Sequence, residues 1–453
     1  MADFALGADG RPNILWLIAE DICPDLGCYG DPDARTPNLD RLASQGRRYC
    51  HAFATGNVCS PSRSAFCTGM YQTTLDAQNH RSHRHDHLRL PAGVRLITDR
   101  LREVGYFTAN VRQFPSELGL AGTGKTDWNF EPEGKPFDSS RWEDLKLHQP
   151  FYAQVNFANA HRPYKKHPRQ PTDPAKVTLP PYLPDHPVAR EDWALYHDSI
   201  QILDEQVGKV LDLLQKEGMA DNTVVFFFGD QGRECFRGKY FAYEQGISVP
   251  LLIRWPGKVP TGLSSDELIS LIDVTATSLA FAGAPMPDAM HGKPFFGEKA
   301  QRREYVFGAS DRRDEAVDRV RTVRDARYKY MRNFMPERPY LQHMFYAEHT
   351  NPNVNLMRRL FAEGKLNTAQ AKFMASHRPT EELYDIKTDP WELNNLAGLP
   401  EYAKTLAHLR SVLDKWIVDT DDRGRFPEDP VVLKETLKEH EQTVQKLLEK
   451  ISK

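Results

Sequence analysis

Residues 13–21 read NILWLIAED, and this stretch decides how the rest of the chain is read. Its apolar run is continuous instead of alternating. That is the pattern of a parallel strand whose sheet is covered on both faces. The run stops at two carboxylates, Glu20 and Asp21. The same design recurs at 222–230, NTVVFFFGD, which ends on Asp230 and is followed by Gln231. It recurs again over Pro150–Ala158, which leads to His161. Open α/β sheets place their ligands beyond the carboxyl ends of the strands. Polar residues are therefore expected to gather at one sheet edge.

Working outward, Thr36-Pro37-Asn38 opens a helix, LDRLASQG, with proline near its first turn and Gly46 near its end. The next residues read as a loop, and CSPSRSAFCTG (59–69) reads as a loop entering a helix. VRLITDRLREVG (94–105) is helix-like and YFTANV (106–111) strand-like. Residues 191–216 carry the apolar period of a long amphipathic helix, and VPLLIRWP (249–256) is a further strand. Strands and helices alternate to about residue 285, which predicts a doubly wound sheet flanked by helices. Beyond about residue 300, EYVFGAS, DRVRTVRD and RYKYMRNF read as short strands of an antiparallel sheet. Residues 400–420 and 430–452 read as polar helices. The expected division is a catalytic α/β domain over 1–300 and a smaller α+β subdomain over 301–453 that contributes to the substrate pocket.

The chain has 453 residues, 40% apolar and 27% charged, which is enough apolar material for a large core. Its formal charge is −3, with lysine and arginine spread along its length, so nothing argues for a nucleic-acid partner. No stretch is long and apolar enough to span a bilayer. The first residues, MADFALGADGRPN, lack the basic-then-apolar pattern of a secretory signal. The expected location is cytoplasmic as given, or periplasmic or secreted if a leader has been removed. The six cysteines (23, 28, 50, 59, 67 and 235) are too few for a disulfide framework and match no zinc spacing.

One cysteine stands in a distinctive context, Cys59-Ser60-Pro61-Ser62-Arg63. From the residues alone it is either a structural thiol or a thiolate activated by the nearby arginine. The pentapeptide resembles the C-x-P-x-R signature of the type I sulfatases of the alkaline phosphatase superfamily. Its surroundings match in collinear order over nearly the whole chain: PNILWLIAED, LGCYG, TPNLDRLASQG, SRSAFCTGMY, GKTDWNF, the HRP at 161–163, FFFGDQG, RGKYFAYEQGISVPLLIRWPG and EELYDIKTDPWELNNLA.

The resemblance implies an alkaline-phosphatase-like fold and a set of roles. Cys59 would be oxidised to formylglycine by a separate formylglycine-generating maturation enzyme. Its hydrate would attack sulfur through one hydroxyl and release sulfate through the other. Glu20, Asp21, Asp230 and Gln231 would hold one calcium ion, a role that hard oxygen ligands suit. The alternative for each carboxylate is a helix cap or a surface ion pair, which the place of both pairs directly after buried apolar runs disfavours. Arg63 would orient the modified residue, Lys125 and Lys239 would grip sulfate oxygens, and His161 would protonate the leaving oxygen.

Two departures stand out. Glu20 occupies a position where many members carry aspartate. Lys125-Thr126-Asp127 replaces a usual Lys-x-His. Either Asp127 takes the proton there, or a histidine of QNHRSHRHDH does, namely His80, His83 or His85. The same cluster, with Arg81, could instead line the substrate pocket or form a surface run. KTDWNF and NHRSHR resemble the heparan N-sulfatase-like (N-sulfoglucosamine sulfohydrolase-like) branch, which implies an amino-sugar, glycosaminoglycan or other polysaccharide substrate. The expected function is hydrolysis of sulfate esters or sulfamates of a carbohydrate. The alternatives are a phosphonate monoester hydrolase or phosphodiesterase of the same superfamily, and a non-catalytic protein that binds sulfated glycans.

Overall fold

The NILWLIA run forms β1 (Asn13–Ala19), and every residue in it is buried. In the computed structural model, which describes residues 10–451, β1 lies inside an eight-stranded sheet. The other strands are β2 (Arg47–Phe53), β3 (Phe107–Gln113), β4 (Ser139–Arg141), β5 (Phe151–Phe157), β6 (Thr223–Gly229), β7 (Ser248–Arg254) and β8 (Leu263–Ser270). Their order is β4-β3-β5-β1-β6-β7-β2-β8. β1 pairs in parallel with β5 and β6, while β7 runs antiparallel to both β6 and β2.

Successive side chains of a strand point to opposite faces, and β1 uses both. Ile14, Trp16 and Ile18 enter one core layer, and Leu15, Leu17 and Ala19 enter the other. The second layer is covered by α3 (Pro187–Lys216), through Tyr196, Ile200, Leu203, Val207, Val210 and Leu214. Their spacing of three and four residues makes one helical stripe. α1 (Pro37–Ser44), with proline at its start, adds Leu39 and Leu42 to the same layer. The first layer receives α2 (Cys59–Thr68) and α4 (Ile272–Phe281).

The strand register sets where the polar groups emerge. Ala19 lies opposite both Phe157 and Gly229. The residues just beyond Ala19 and Gly229, Glu20 and Asp230, therefore leave the sheet side by side at one edge.

The C-terminal region forms the expected antiparallel sheet, β12-β11-β10-β9, from β9 (Val306–Ser310), β10 (Val320–Arg324), β11 (Tyr328–Asn333) and β12 (Glu381–Asp385). Leu406, Leu409, Leu413 and Trp416 of α5 (Ala403–Asp419) pack on Val323, Tyr330 and Leu383. A final helix, α6 (Pro430–Ile451), completes the described chain. A bridge between Gly56 and Ala309 joins the second sheet to the loop that leads into α2.

Residues 47–58, expected to be loop throughout, contain β2, and β8 was not anticipated. Arg47-Arg48 and the polar LSSDELIS hide the apolar signal. β8 is an edge strand with an exposed start. No helix among the described residues is long and apolar enough to cross a membrane.

Candidate active site

The site forms where the carboxyl ends of β1, β5 and β6 meet the first turn of α2. All ten residues of α2 are buried. Its hydroxyls and arginine tie it to four other segments. Ser60 Oγ accepts from Arg81 N (2.8 Å), Ser64 Oγ accepts from Asn129 N (2.9 Å), and Ser62 Oγ donates to Asp230 O. Arg63 donates from Nε to Asp230 Oδ2 (2.9 Å), and from Nη1 to Asn156 Oδ1 (2.8 Å) and Lys125 O (3.2 Å). Cys59 is thus fixed at the helix N-terminus, where backbone N–H groups and the helix dipole favour negative charge. Its thiol lies 3.8 Å from Gln231 Nε2. Burial pushes the thiol above its usual range, although Lys125 and Lys239 oppose this. Burial thus works against an activated thiolate at an unmodified Cys59.

Four oxygen-bearing side chains lie behind it. Asp21 accepts from Gln231 Nε2 through one carboxylate oxygen and from Lys239 Nζ (2.8 Å) through the other. Glu20 accepts from Lys125 Nζ at 2.8 Å. Asp21 N donates to Asp230 Oδ1 at 3.0 Å. Burial would raise the carboxyl of Asp21, but Lys239, His161 and Lys125 hold it down at about 2. Asp230 moves the other way. Burial, reinforced by Asp21 and Glu20, lifts it in spite of Arg63. Gln231 Oε1 is buried without a hydrogen-bond partner. An orphaned amide oxygen beside a crowded set of buried carboxylates suits a hard divalent cation. The residues present fit the ion that the family resemblance implies.

His161 Nδ1 lies 2.7 Å from Arg162 O, so Nδ1 carries a proton and Nε2 faces the site, 3.8 Å from Asp21 Oδ2. Arg162 is itself locked by two bonds to Asp192, at 2.6 and 2.7 Å. Asp127 is bound by Arg84 and lies 3.9 Å from Lys125 and 4.0 Å from Arg81. Cys59, His80 and Asp127 each bring one side-chain polar atom within 4.8 Å of the others. His80 is buried, with Nδ1 3.0 Å from Asp314 Oδ1 and Nε2 without a partner.

Asp21, Arg81, Asp127, Tyr240 and Asp314 all adopt left-handed backbone conformations, with φ between 46° and 81°. Each non-glycine residue held there costs about 1–3 kcal/mol, and such strain gathers at functional sites.

The structure brings together Glu20, Asp21, Cys59, Arg63, His80, Arg81, Lys125, Asp127, His161, Asp230, Gln231 and Lys239. It does not bring in His83 or His85. His83 turns to Asp86 (2.7 Å), and His85 is half-exposed near Glu439 (3.4 Å). Sequence reasoning missed Glu234, Asn156 and Asp314. Glu234 is buried, 3.5 Å from Lys239 Nζ, and clusters with Asp21 and His161. Asn156 is a polar residue inside a buried strand, a signal that could have been read. Asp314 lies beyond the distant β9 and had none.

A buried thiol stands at a helix N-terminus, with a carboxylate cluster behind it and cationic side chains around it, an arrangement that suits an anionic ligand. The chain belongs to the sulfatase family: the family model described as Sulfatase matches residues 12–131 and 138–284. A second model, N-sulphoglucosamine sulphohydrolase, C-terminal, matches residues 232–373. An ulvan-active sulfatase of Formosa agariphila is 34% identical, over 94% of this chain and 78% of that one. Human N-sulphoglucosamine sulphohydrolase is 27% identical, over 91% of each chain. The solved structure of BT1596, a 2-O GAG sulfatase, superimposes with a TM-score of 0.67 at 21% identity, covering 93% of this chain and 96% of that one. The fold is the alkaline-phosphatase-like sulfatase fold, and the protein is a sulfatase-family hydrolase.

Proposed function

We propose that the protein removes sulfate from a sulfated carbohydrate, as an ester or a sulfamate, using a formylglycine made from Cys59 and one calcium ion. The observation that carries this reading is the buried Cys59 thiol at the start of α2, 3.8 Å from Gln231 and flanked by Lys125, Lys239 and Arg63. A neutral thiol is a poor nucleophile at this position, and formylglycine would supply a hydroxyl one instead. A calcium ion held by Glu20, Asp21, Asp230 and Gln231 would supply Lewis-acid stabilisation of a sulfate oxygen.

The chain's own residues do the rest. Lys125 and Lys239 present fixed positive charge to the sulfate oxygens, which counts for most in a site this buried. Arg63 holds Asp230 and Asn156 in register with the nucleophile. His161 gives a proton from Nε2 to the leaving oxygen or nitrogen. His80 fills the role left open by Asp127, because a ring nitrogen lies within 4.8 Å of the Cys59 sulfur and its buried Nε2 has no hydrogen-bond partner, Nδ1 being taken by Asp314. It accepts a proton from the side chain at position 59. Asp127, tied to Arg84, stays ionised and neutralises Arg81 and Lys125 instead of carrying the proton.

The carbohydrate substrate is supported by the ulvan, glycosaminoglycan and N-sulphoglucosamine activities named for the relatives. The maturation enzyme is the implied protein partner. The test is a panel of defined sulfated sugars, including N-sulfoglucosamine, alongside an aryl phosphonate and a phosphate diester. Sulfate release that exceeds phosphonate hydrolysis by one preparation is the expected result. A preference for the phosphonate would assign the site to the rival chemistry.

A further inference from the structure

We propose that His440 on α6 is a positioning residue whose positive charge governs how strongly Asp314 acts on His80. The inference rests on the reading that His80 handles the proton at position 59, and it goes beyond it. It brings a residue near the end of the chain into the chemistry.

The groups form a line. His80 Nδ1 lies 3.0 Å from Asp314 Oδ1, and both side chains are buried. The same Oδ1 lies 3.6 Å from His440 Nδ1, while His440 Nε2 is 3.0 Å from Glu315 Oε2. One carboxylate oxygen therefore serves two imidazoles. Arg312 fixes the frame around it. Its Nη1 donates to Asp314 O (2.8 Å), its Nη2 to His80 O (3.0 Å), and Glu428 grips it just before α6. His80 N donates to Arg312 O at 2.9 Å. The residue beside His440 strengthens the same link, since Glu439 accepts from Arg84 at 3.0 Å and Arg84 binds Asp127.

The charged and titratable groups facing His80 are Asp314, Arg81, Asp127 and Cys59, with Arg312 behind its backbone. Those facing His440 are Glu315, Asp314 and Arg81. Burial alone would lower His440, but Glu315 and Asp314 outweigh it and the ring is held above its ordinary value. His80 is drawn down to about 4 by burial, with Asp314 opposing. A carboxylate shared with a cationic His440 has less charge to offer His80. His80 then stays neutral, the form that can accept a proton. Without the cation, Asp314 would turn its full charge on His80 and favour the imidazolium.

The experiment tracks the His80 ring by NMR in full-length protein with histidines labelled at Cε1, assigned by the signal lost in His80→Gln. His440→Gln should raise the His80 midpoint by about one unit, a Coulomb effect of the size expected for a nearby charge in a partly screened site. His440→Lys keeps the charge and should leave the midpoint near its wild-type position. The acidic limb of kcat on 4-nitrophenyl sulfate should move upward in the first variant and hold still in the second. If His440→Gln fails to fold, Glu315→Gln, which weakens the hold on the His440 cation, should shift His80 the same way by less. Identical His80 titration in wild type and His440→Gln, or equal shifts in the Gln and Lys variants, overturns the proposal. A shifted His80 midpoint together with full kcat in His80→Gln upholds the positioning role and rejects the proton-handling one.

Discussion

At the scale of single residues, charge pairing explains the site better than any one contact. Lys239 is buried between Asp21 (2.8 Å) and Glu234 (3.5 Å). Replacing it with methionine would leave two buried carboxylates short of a cation. Breaking a buried pair from one side costs about 3–5 kcal/mol. The Lys239→Met variant should lose that much stability in urea unfolding as well as its turnover. Retained stability would mean that Asp21 and Glu234 are neutral or otherwise compensated. Arg63 is equally committed, with bonds to Asp230, Asn156 and Lys125. Lysine cannot span these in the planar fork of a guanidinium. Arg63→Lys should therefore lower kcat by about a hundredfold, the effect of misplacing a reacting group, and a kcat within threefold of wild type would speak against this positioning role. Most of these residues were legible, because each lies just after a buried apolar run or sits in a dense motif. Glu234 and Asp314 were not, because their importance lies in partners that sequence spacing does not reveal.

At the scale of elements, loops do the positioning and their tightness can be tested. The 233–240 loop carries Lys239, and Gly238 is its narrowest point. A Cβ there would meet Arg233 O at 2.1 Å. Gly238→Ala should open the loop and lower activity more than it lowers the melting temperature, measured on one preparation. Unchanged kcat would show that the loop tolerates the displacement. The docking of α3 has a pH signature. His197 is fully buried, with Nδ1 3.0 Å from Trp193 O and Nε2 3.2 Å from Asp31 Oδ2, so both nitrogens face acceptors. Burial would lower the ring, but Asp31 and Trp193 O outweigh it and it is held up. Asp31 is held down by the same bond, against its burial. A raised histidine stabilises the fold below its unfolded pKa and loses that contribution as pH rises through the folded one. A lowered aspartate stabilises above its unfolded pKa and loses its contribution as pH falls through the folded value. The pair should contribute most between about pH 4 and 6.5, using ordinary Asp and His values. The melting temperature gap between wild type and His197→Gln should be widest there and should shrink toward pH 9. A gap independent of pH would mean that His197 is neutral. Strands with continuous apolar runs, β1, β5 and β6, were readable from sequence. β2 and β8 were not, because β2 opens on two arginines and β8 on exposed polar residues at a sheet edge.

At the scale of the whole molecule, the C-terminal region is tied into the site by buried charge. Arg321 of β10 is fully buried between Asp311 (2.9 Å) and Asp422 (2.7 Å), joining the end of β9 to the segment before α6. This explains how residues beyond 420 can reach a site whose side chains come largely from the region before residue 240. A pairing across a hundred residues leaves no periodic trace, so the sequence predicted two regions without revealing how closely they are joined. The central claim concerns position 59 itself. The tryptic peptide Tyr49–Arg63 should be weighed in preparations with graded exposure to a formylglycine-generating enzyme, and sulfate release from a sulfated sugar measured on the same samples. Turnover should rise in proportion to the fraction carrying an aldehyde at position 59 and vanish in Cys59→Ala. Full turnover from protein that carries only the thiol would contradict the claim.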